Sequence, residues 1–341
     1  MGLGTTSTPA LVLTVGVWTV LSLAASGVLI VRLERLGAHF GITEASLGLI
    51  AALAADAPEI TSAVTALSRG QRDVGVGVVL GSNVFNLAAL LGLSAVVAGR
   101  ITFHRRVVIV EGAVGVWLAL VCLAVVVGPV APGIGLVAAL VVFVPYAMVT
   151  ALHPDRRARI PIPHRARTLL LTGVAEAEQD IAVAEHDIAE VTDHHAAPGR
   201  DAVHAVIALL VVVIASVRME MNMTDLGGRW NLSSALVGAV ILAAITSLPN
   251  AVAAVYLARR GRGAATLSEA MNSNTINAVA GFLVPATLIG VGTASVASRT
   301  VALWYLGLTV ATLGVAYLLR GIPRRAGLLV IAAYVLFVAL V

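Results

Sequence analysis

Two acidic residues lie close together inside one long apolar segment. Asp56 and Glu59 fall within residues 43–67, a stretch long enough to cross a bilayer. A carboxylate in hydrocarbon costs roughly 3 kcal/mol even on insertion-based scales, so both must face a cavity, a partner or a cation. Pro58 between them lacks an N–H, which frees the carbonyl of Ala54 four residues earlier. Carboxylates beside a free carbonyl are the hard oxygen ligands that Na⁺ and Ca²⁺ prefer.

Oxygen-bearing side chains recur in other apolar segments of the chain. In the first half, Ser82 and Asn86 lie four residues apart, on one face of a predicted helix. The second half supplies five further candidates: Thr246, Ser247, Asn250, Ser273 and Asn277. Cysteine and clustered histidine do not accompany them in the sequence, which disfavours zinc and copper. We expect these side chains to form a ring of oxygen ligands for a hard cation.

The two halves of the chain are related by a shift of 191 residues. The shift places Pro58, Ala63, Val64, Arg69, Gly70, Ser82, Asn83 and Asn86 on Pro249, Ala254, Val255, Arg260, Gly261, Ser273, Asn274 and Asn277. Several of these matches are polar, which an Ala/Val/Leu-rich background does not readily produce by chance. A duplicated unit with its substrate site near the midplane is the usual plan of secondary transporters.

The composition indicates a membrane protein. Of 341 residues, 59% are hydrophobic and only 12% are charged, against about 25% charged in soluble domains. We mark ten apolar segments, at residues 9–31, 43–67, 74–98, 107–127, 134–152, 203–217, 234–257, 266–289, 302–319 and 326–341. The first is too long for the apolar region of a signal peptide. Five spans in each half require the second half to enter the membrane upside down.

We therefore predict an all-α integral membrane protein of about ten transmembrane helices, arranged as two inverted five-helix repeats. The first repeat is expected at residues 1–152 and the second at 201–341. A polar stretch at 153–200, first basic and then acidic, is expected to be a solvated linker between them.

Arginines are unevenly divided between the two sides of the predicted membrane. Apart from the linker, the odd-numbered loops hold Arg32, Arg35, Arg100, Arg105, Arg106, Arg259, Arg260, Arg262, Arg320, Arg324 and Arg325. The even-numbered loops hold only Arg69, Arg72, Arg218, Arg229 and Arg299. The positive-inside rule then predicts a cytoplasmic linker, with both termini outside the plasma membrane. Arginines at the ends of apolar segments also explain the net charge of +4 without a nucleic-acid partner.

These features resemble the cation/calcium exchanger superfamily, the sodium/calcium exchangers and their relatives, and the chain is similar to a divergent bacterial-type member. The family's repeats characteristically read G-T-S-x-P-E and G-S-N-x-x-N, and this chain has A-A-D-A-P-E at 54–59 and G-S-N-V-F-N at 81–86. The resemblance implies that Glu59 is the cation carboxylate of the first repeat, with Ser82 and Asn86 as its partners. It also implies hydroxyl and carbonyl ligands at Thr246 and Ser247.

The chain departs from the family pattern in both repeats: Ala54-Ala55-Asp56 replaces Gly-Thr-Ser, and three of the changed positions affect candidate ligands. Asn250 stands where the family has the second-repeat glutamate, Asn277 where an acidic residue is common, and Asp56 where a serine ligand occurs. Glu269 lies four residues before Ser273, on the same predicted helix face, and is a further candidate ligand. Two or three carboxylates are enough for a divalent cation. With only two, a close pair sharing one proton would suit proton-coupled exchange.

Glu111 has a different interpretation. It lies about one turn into the fourth apolar segment, shortly after Arg105 and Arg106. We expect it to pair with them at the membrane interface rather than to form a site.

The sequence favours a secondary active antiporter that exchanges Ca²⁺, or a similar hard cation, for Na⁺ or H⁺ by alternating access. One alternative is a Na⁺/H⁺-type monovalent exchanger without a Ca²⁺ site, because of the two asparagines. Another is a membrane receptor or scaffold that does not transport. We expect neither enzymatic activity nor a bound cofactor, since no nucleophile–base pair or phosphate-binding loop is visible in the sequence. The expected partners are small inorganic cations and the lipid bilayer.

Overall fold

The computed structural model describes residues 7–40, 52–151, 172, 175, 198–292 and 294–341. The first half contains α1 (Thr8–His39), α2 (Ala57–Ser68), α3 (Arg72–Asn86), the π-helix π1 (Leu87–Leu93), α4 (Ser94–Ala98), β1 (Arg100–Thr102), α5 (Arg105–Val127) and α6 (Pro132–Ala151). Residues 52–55, just before α2, are also helical. Almost all of the predicted linker, and part of the predicted second span, lie outside the described residues.

After its broken helix, the second half follows the same order of helices, but its strand lies between its last two helices. It contains α7 (Pro198–Arg229), α8 (Ser234–Leu236), π2 (Val237–Leu242), α9 (Ala243–Thr246), α10 (Leu248–Arg259), α11 (Gly263–Ile276), π3 (Asn277–Leu283), α12 (Val284–Ile289), α13 (Val296–Leu319), β2 (Gly321–Pro323) and α14 (Arg324–Leu340). Each of the ten predicted apolar segments therefore contains helix. The all-α prediction is confirmed, apart from one short antiparallel pairing of β1 with β2.

Six helices of the described ranges are long and apolar enough to cross a membrane: Thr8–Gly37, Arg72–Ala98, Arg105–Val127, Pro132–Thr150, Pro198–Arg229 and Val296–Leu319. A seventh candidate is the pair Ser234–Thr246 and Leu248–Arg259, which bends by 50° at its break. α14 has 17 residues, so its length falls just short of a full span.

Burial separates the central helices from those that face lipid. In the span Arg72–Ala98, 94% of the most apolar window is buried, against 22% in α1 and 17% in α6. The exposed side chains of α1 and α6 are large and apolar, such as Leu13 and Val141. Such surfaces fit hydrocarbon, and the third span therefore forms the centre of the bundle.

Two glycines allow the third and seventh spans to cross at backbone distance. A Cβ on Gly81 would lie 2.4 Å from the Ala239 backbone, and one on Gly238 would lie 2.4 Å from the Val74 carbonyl oxygen. Real side chains do not tolerate such distances, so only glycine fits this crossing. Because Gly81 directly precedes Ser82, the crossing brings the second repeat against the polar residues of the first.

Candidate cation site

Two helix breaks occupy equivalent places in the two repeats. Asp56 (φ −82°, ψ −5°) directly precedes α2, and Ser247 (φ −83°, ψ 0°) directly precedes α10. Each following helix carries a proline in its first turn, Pro58 or Pro249, where the missing N–H is tolerated. Asp56 and Ser247 are also mates under the 191-residue shift. The duplicated sequence therefore folds into a duplicated broken helix.

Nine of the ten predicted site residues are buried. The exposed fraction is 0–1% for Asp56, Glu59, Ser82, Asn86, Thr246, Ser247, Asn250, Ser273 and Asn277. Only Glu269 is partly exposed. The structure thus brings two carboxyl groups and seven neutral polar side chains into the interior of an apolar bundle.

The Glu59 carboxyl is held by two donors from the second repeat. The Ser247 hydroxyl donates to Glu59 Oε1. The Asn277 amide donates to Glu59 Oε2 at 2.7 Å. Each carboxyl oxygen of Glu59 therefore accepts a hydrogen bond from the second repeat.

The Asp56 carboxyl is held in the same manner, through one of its oxygens. Asn250 Nδ2 donates to Asp56 Oδ1 at 2.7 Å, and Ser273 Oγ donates to the same atom at 2.8 Å. Asn250 is the mate of Glu59, so the Asp56–Asn250 and Ser247–Glu59 contacts are related by the repeat. Asp56 therefore contacts the mate of Glu59, and Glu59 contacts the mate of Asp56. Both mates are neutral.

A second reciprocal contact lies between Asn83 and its mate Asn274. Asn83 Nδ2 donates to the Asn274 carbonyl at 3.1 Å, and Asn274 Nδ2 donates to the Asn83 carbonyl at 3.2 Å. Asn86 reaches the same helix and donates to Ser273 Oγ at 3.0 Å. Asn83 and Asn274 were not among the predicted site residues, although their alignment under the 191-residue shift is a signal that could have found them.

Five buried oxygen atoms of this cluster accept no hydrogen bond from the described residues. They are Asp56 Oδ2 and the amide oxygens of Asn83, Asn86, Asn250 and Asn277. Unsatisfied buried oxygens are rare and need an explanation. Each of these amides directs its N–H groups at a neighbouring oxygen, which leaves its own oxygen free. Carboxylate and amide oxygens without donors form a ligand set suited to a hard cation.

Three predicted oxygen ligands form hydrogen bonds with groups outside the cluster. Ser82 Oγ donates to the Val78 carbonyl at 2.5 Å, and Thr246 Oγ1 donates to the Leu242 carbonyl at 2.9 Å, each four residues back on its own helix. Their lone pairs remain available. The Ala54 carbonyl, which the sequence predicted to be free, accepts a hydrogen bond from Ser26 of α1 at 3.2 Å.

Glu269 lies beside this cluster but does not contact it. Its carboxyl interacts electrostatically with Asp56, and no hydrogen bond or ion pair joins it to another described residue. In the part of the chain that the structure describes, no three His, Cys, Asp or Glu side chains form a metal-binding group. A ligand role for Glu269 stays a prediction.

The prediction for Glu111 is wrong. Its side chain is 4% exposed and accepts hydrogen bonds from Tyr146 Oη at 2.8 Å and Ser268 Oγ at 2.9 Å. Arg105 and Arg106 instead donate to Tyr317 and Thr172. Five or six residues place a side chain on the opposite face of a helix from the arginines. Glu111 therefore points into the bundle.

Two relatives are similar to part of the chain. The putative antiporter CaxA of Alkalimonas amylolytica is 33% identical over 87 residues, which is 24% of this chain and 27% of that protein. The inner membrane protein YrbG of Escherichia coli (strain K12) is 30% identical over 90 residues, which is 26% of this chain and 28% of that protein. The chain thus matches little more than a quarter of the length of either relative.

Solved structures are similar over almost the whole chain. The sodium-calcium exchanger NCX_Mj, soaked with 2.5 mM Na⁺ and 10 mM Sr²⁺, has a TM-score of 0.62 at 18% identity and covers 98% of this chain and 100% of its own. Native YfkE has a TM-score of 0.57 at 16% identity and covers 95% and 90%. These likenesses confirm the predicted fold class of two repeats.

A family model described as sodium/calcium exchanger protein matches residues 10–153 and 202–341. The two matched ranges contain both broken helices and every residue of the predicted site. The resemblance found from the sequence motifs is thereby confirmed, and the chain belongs to the sodium/calcium exchanger protein family.

Proposed function

We propose that this chain is a secondary active antiporter that exchanges Ca²⁺, or a similar hard divalent cation, for Na⁺ or H⁺ across the plasma membrane. The observation that carries the proposal is the pair Asp56 and Glu59. Both carboxyls are fully buried at the interface between the repeats, and only neutral groups donate hydrogen bonds to them.

The charge of this pair requires a counter-ion. The ion pairs formed by described residues, Arg32–Asp201 and Arg69–Glu220, involve neither acid. Buried ionised carboxylates without a cationic partner are strongly unfavourable. One divalent cation, two monovalent cations or two protons would neutralise the pair. Competition between these ions for the same two carboxyls would produce exchange, because each occupant excludes the others.

The names of similar proteins support this assignment. NCX_Mj is named a sodium-calcium exchanger and was studied with Na⁺ and Sr²⁺, and CaxA is named a putative antiporter. These statements concern those proteins. The buried carboxyl pair and the unsatisfied oxygens extend them to this chain.

The helices α1 and α7 are suited to act as the moving part of an alternating-access cycle. They pack along each other and are joined by Ser22–Ser216 at 3.2 Å and by the ion pair Arg32–Asp201 at 2.7 Å. Their polar links to the core include Ser26 to the Ala54 carbonyl and, at 3.5 Å, Glu220 to Arg69. Sliding of the pair would break these links and open the region of Asp56.

We further propose the orientation given by the arginine distribution, with the linker cytoplasmic and both termini outside. On this orientation, Arg32–Asp201 lies towards the cytoplasm and Arg69–Glu220 towards the outside. Labelling of single cysteines introduced at positions 70 and 261 by an impermeant reagent, in a Cys122→Ala background, tests it. We expect labelling of intact cells at position 70 only.

Flux into proteoliposomes tests the proposed exchange. An outward Na⁺ gradient and an outward H⁺ gradient are imposed separately on the purified protein, and Ca²⁺ uptake is followed. We expect uptake under one of them, loss of uptake in Glu59→Gln, and unchanged uptake in Asp225→Asn, a matched control because Asp225 is an exposed acid. Uptake that persists in Glu59→Gln contradicts the site assignment.

Monovalent exchange is a second candidate, favoured by Asn250 and Asn277. Both are amides where the family has acidic residues, and both donate N–H groups to the carboxyls. Na⁺ flux driven by a pH gradient and insensitive to Ca²⁺ would select this function. A receptor or scaffold without transport predicts no flux of either ion in folded protein.

A further inference from the structure

A second buried polar cluster lies outside the cation site, where α5, α6 and α11 meet. It consists of Glu111 on α5, Tyr146 on α6, and Ser268 and Asn272 on α11. Close packing creates it: a Cβ on Gly115, one turn after Glu111, would lie 3.2 Å from the sulfur of Met271. The proposed cation site does not include Glu111, the buried acid of this cluster.

The contacts in this cluster form a chain of oxygens. Ser268 Oγ donates to Glu111 Oε1 at 2.9 Å. Tyr146 Oη lies 2.8 Å from Glu111 Oε2 and 2.9 Å from Asn272 Oδ1. Both Glu111 oxygens are therefore engaged, and none of the cluster's atoms is among the unsatisfied oxygens of the described residues. Saturated oxygens favour a proton over a metal ion as the ligand.

Counting protons gives two states of this chain of oxygens. Tyr146 carries one hydroxyl proton, whereas its two contacts, to Glu111 Oε2 and Asn272 Oδ1, need two. A protonated Glu111 supplies the second by donating to Tyr146, which then donates to Asn272. If Glu111 is ionised, Tyr146 donates to the carboxylate, and the Asn272 amide must rotate by half a turn to donate to Tyr146.

We propose that Glu111, Tyr146 and Asn272 form a proton-binding site whose occupancy is linked to the cation site through α11. Asn272 directly precedes Ser273, whose hydroxyl donates to Asp56. The amide that contacts Tyr146 and a donor to Asp56 are therefore carried by adjacent residues of one helix. The linkage rests on the proposed function, whereas proton binding at Glu111 does not.

The position of this cluster suits such a role. Five residues separate Ser268 from Ser273, about 7.5 Å along the helix. With the proposed orientation, α5 and α11 both begin at the cytoplasmic side, so Glu111 lies between the cytoplasm and the cation site. Protonation of Glu111 would therefore follow the cytoplasmic pH and would affect the carboxyls of the cation site.

Among the described residues, no charged group contacts Glu111. The helices packed against α5 are α6, α11 with π3, and α13, and their titratable or charged groups are Tyr146, Glu269, Arg299, Tyr305 and Tyr317. Of these only Tyr146 contacts the Glu111 carboxyl. On α5 itself, Arg105 and Arg106 point to other partners, and Cys122 lies three turns away. Glu111 is thus the one acid of this cluster.

Infrared difference spectroscopy on the purified full-length protein tests proton binding without any transport assay. We expect a carboxylic-acid carbonyl band that appears as the pH is lowered, is missing in Glu111→Gln and is retained in Asp225→Asn. In Tyr146→Phe the band should persist at a shifted frequency, because the acid loses its hydroxyl partner. A band that is independent of pH, or identical spectra for the wild type and Glu111→Gln, would overturn the proposal.

Calcium alone, titrated at two pH values that bracket the band's midpoint, tests the linkage. We expect the Ca²⁺ affinity of the wild type to differ by about tenfold, a size typical of linked sites. Glu111→Gln should bind Ca²⁺ with an affinity that varies less with pH. A Glu111 band that titrates in a protein that binds no Ca²⁺ and exchanges no cation would overturn the linkage and the proposed function, while proton binding itself would stand.

Discussion

The two repeats of this protein share their geometry and differ in their charge. Asp56 and Ser247 break their helices with backbone angles that agree within about 5°. The side chains one turn later, Glu59 and Asn250, are equally buried. Yet both carboxyls belong to the first repeat, and the second repeat supplies hydroxyls and amides at the same places.

This difference shows that the site is divided by chemical role rather than by position. The first repeat provides negative charge, and the second provides the donors that orient it, through Ser247 and Asn277 for Glu59 and through Asn250 and Ser273 for Asp56. Duplication preserved the backbone of the two broken helices. The repeats differ in charge at two pairs of equivalent positions, 56 with 247 and 59 with 250.

Moving a carboxylate from one repeat to the other is expected to have the largest effect. Glu59→Gln should lower the Ca²⁺ affinity by more than about 100-fold, the upper range found for residues that merely support ligands. The double variant Glu59→Gln/Asn250→Glu should recover most of it, because position 250 is the mate of 59. Isothermal titration with Ca²⁺ measures both. A double variant as weak as the single one would contradict the equivalence of these positions.

Making the repeats alike at their helix breaks is expected to have the next largest effect. Asp56→Ser gives the first repeat the same residue type that the second repeat has at Ser247. The variant keeps one carboxylate of the pair, that of Glu59. Ca²⁺ affinity should fall by about 10–100-fold, the range for altered metal surroundings, while Na⁺ binding falls less. Competition titrations with the two ions check this. Equal losses of affinity for Ca²⁺ and Na⁺ would show that Asp56 does not determine a preference for divalent over monovalent cations.

Separating the repeats at their crossing should reduce stability. A Cβ on Gly81 would collide with the Ala239 backbone, so Gly81→Ala is expected to cost about 1–3 kcal/mol, as for other overpacked sites. Gly16→Ala is the matched control, because its Cβ meets no atom within 4 Å. Thermal unfolding in detergent measures both variants. An unchanged Tm for Gly81→Ala would mean that the crossing is looser than described.

Removing a single donor of the second repeat should have the smallest effect. Ser273→Ala deletes one of the two hydrogen bonds to Asp56 Oδ1 and leaves Asn250 in place. A typical hydrogen bond contributes about 1 kcal/mol, so we expect a loss of about fivefold in Ca²⁺ affinity. The same titration detects it. A loss as large as that of Asp56→Ser would show that Ser273 is itself a ligand.

The sequence predicted the fold and selected nine residues that the structure buries in the candidate site, because its strongest signals can be read along one chain. Apolar segments, helix-breaking prolines and a 191-residue repeat are legible along one chain, and the repeat pairs the residues that meet. Helix periodicity places Glu111 on a different face from Arg105 and Arg106, whereas proximity in sequence predicts an ion pair with them. The hydrogen bond that the Ala54 carbonyl accepts from Ser26 could not be predicted, because α1 packs against this carbonyl only in the folded bundle.

Direct observation of a bound cation tests the central claim most directly. A crystal of the purified protein soaked with Sr²⁺ would show an anomalous peak wherever the heavy cation binds. We predict one peak between the repeats, about 2.3–2.6 Å or slightly more from oxygens of Asp56 or Glu59 and from an amide oxygen of Asn250 or Asn277. A peak that contacts oxygens of one repeat only, or lies away from both carboxyls, would contradict a cation site divided between the repeats.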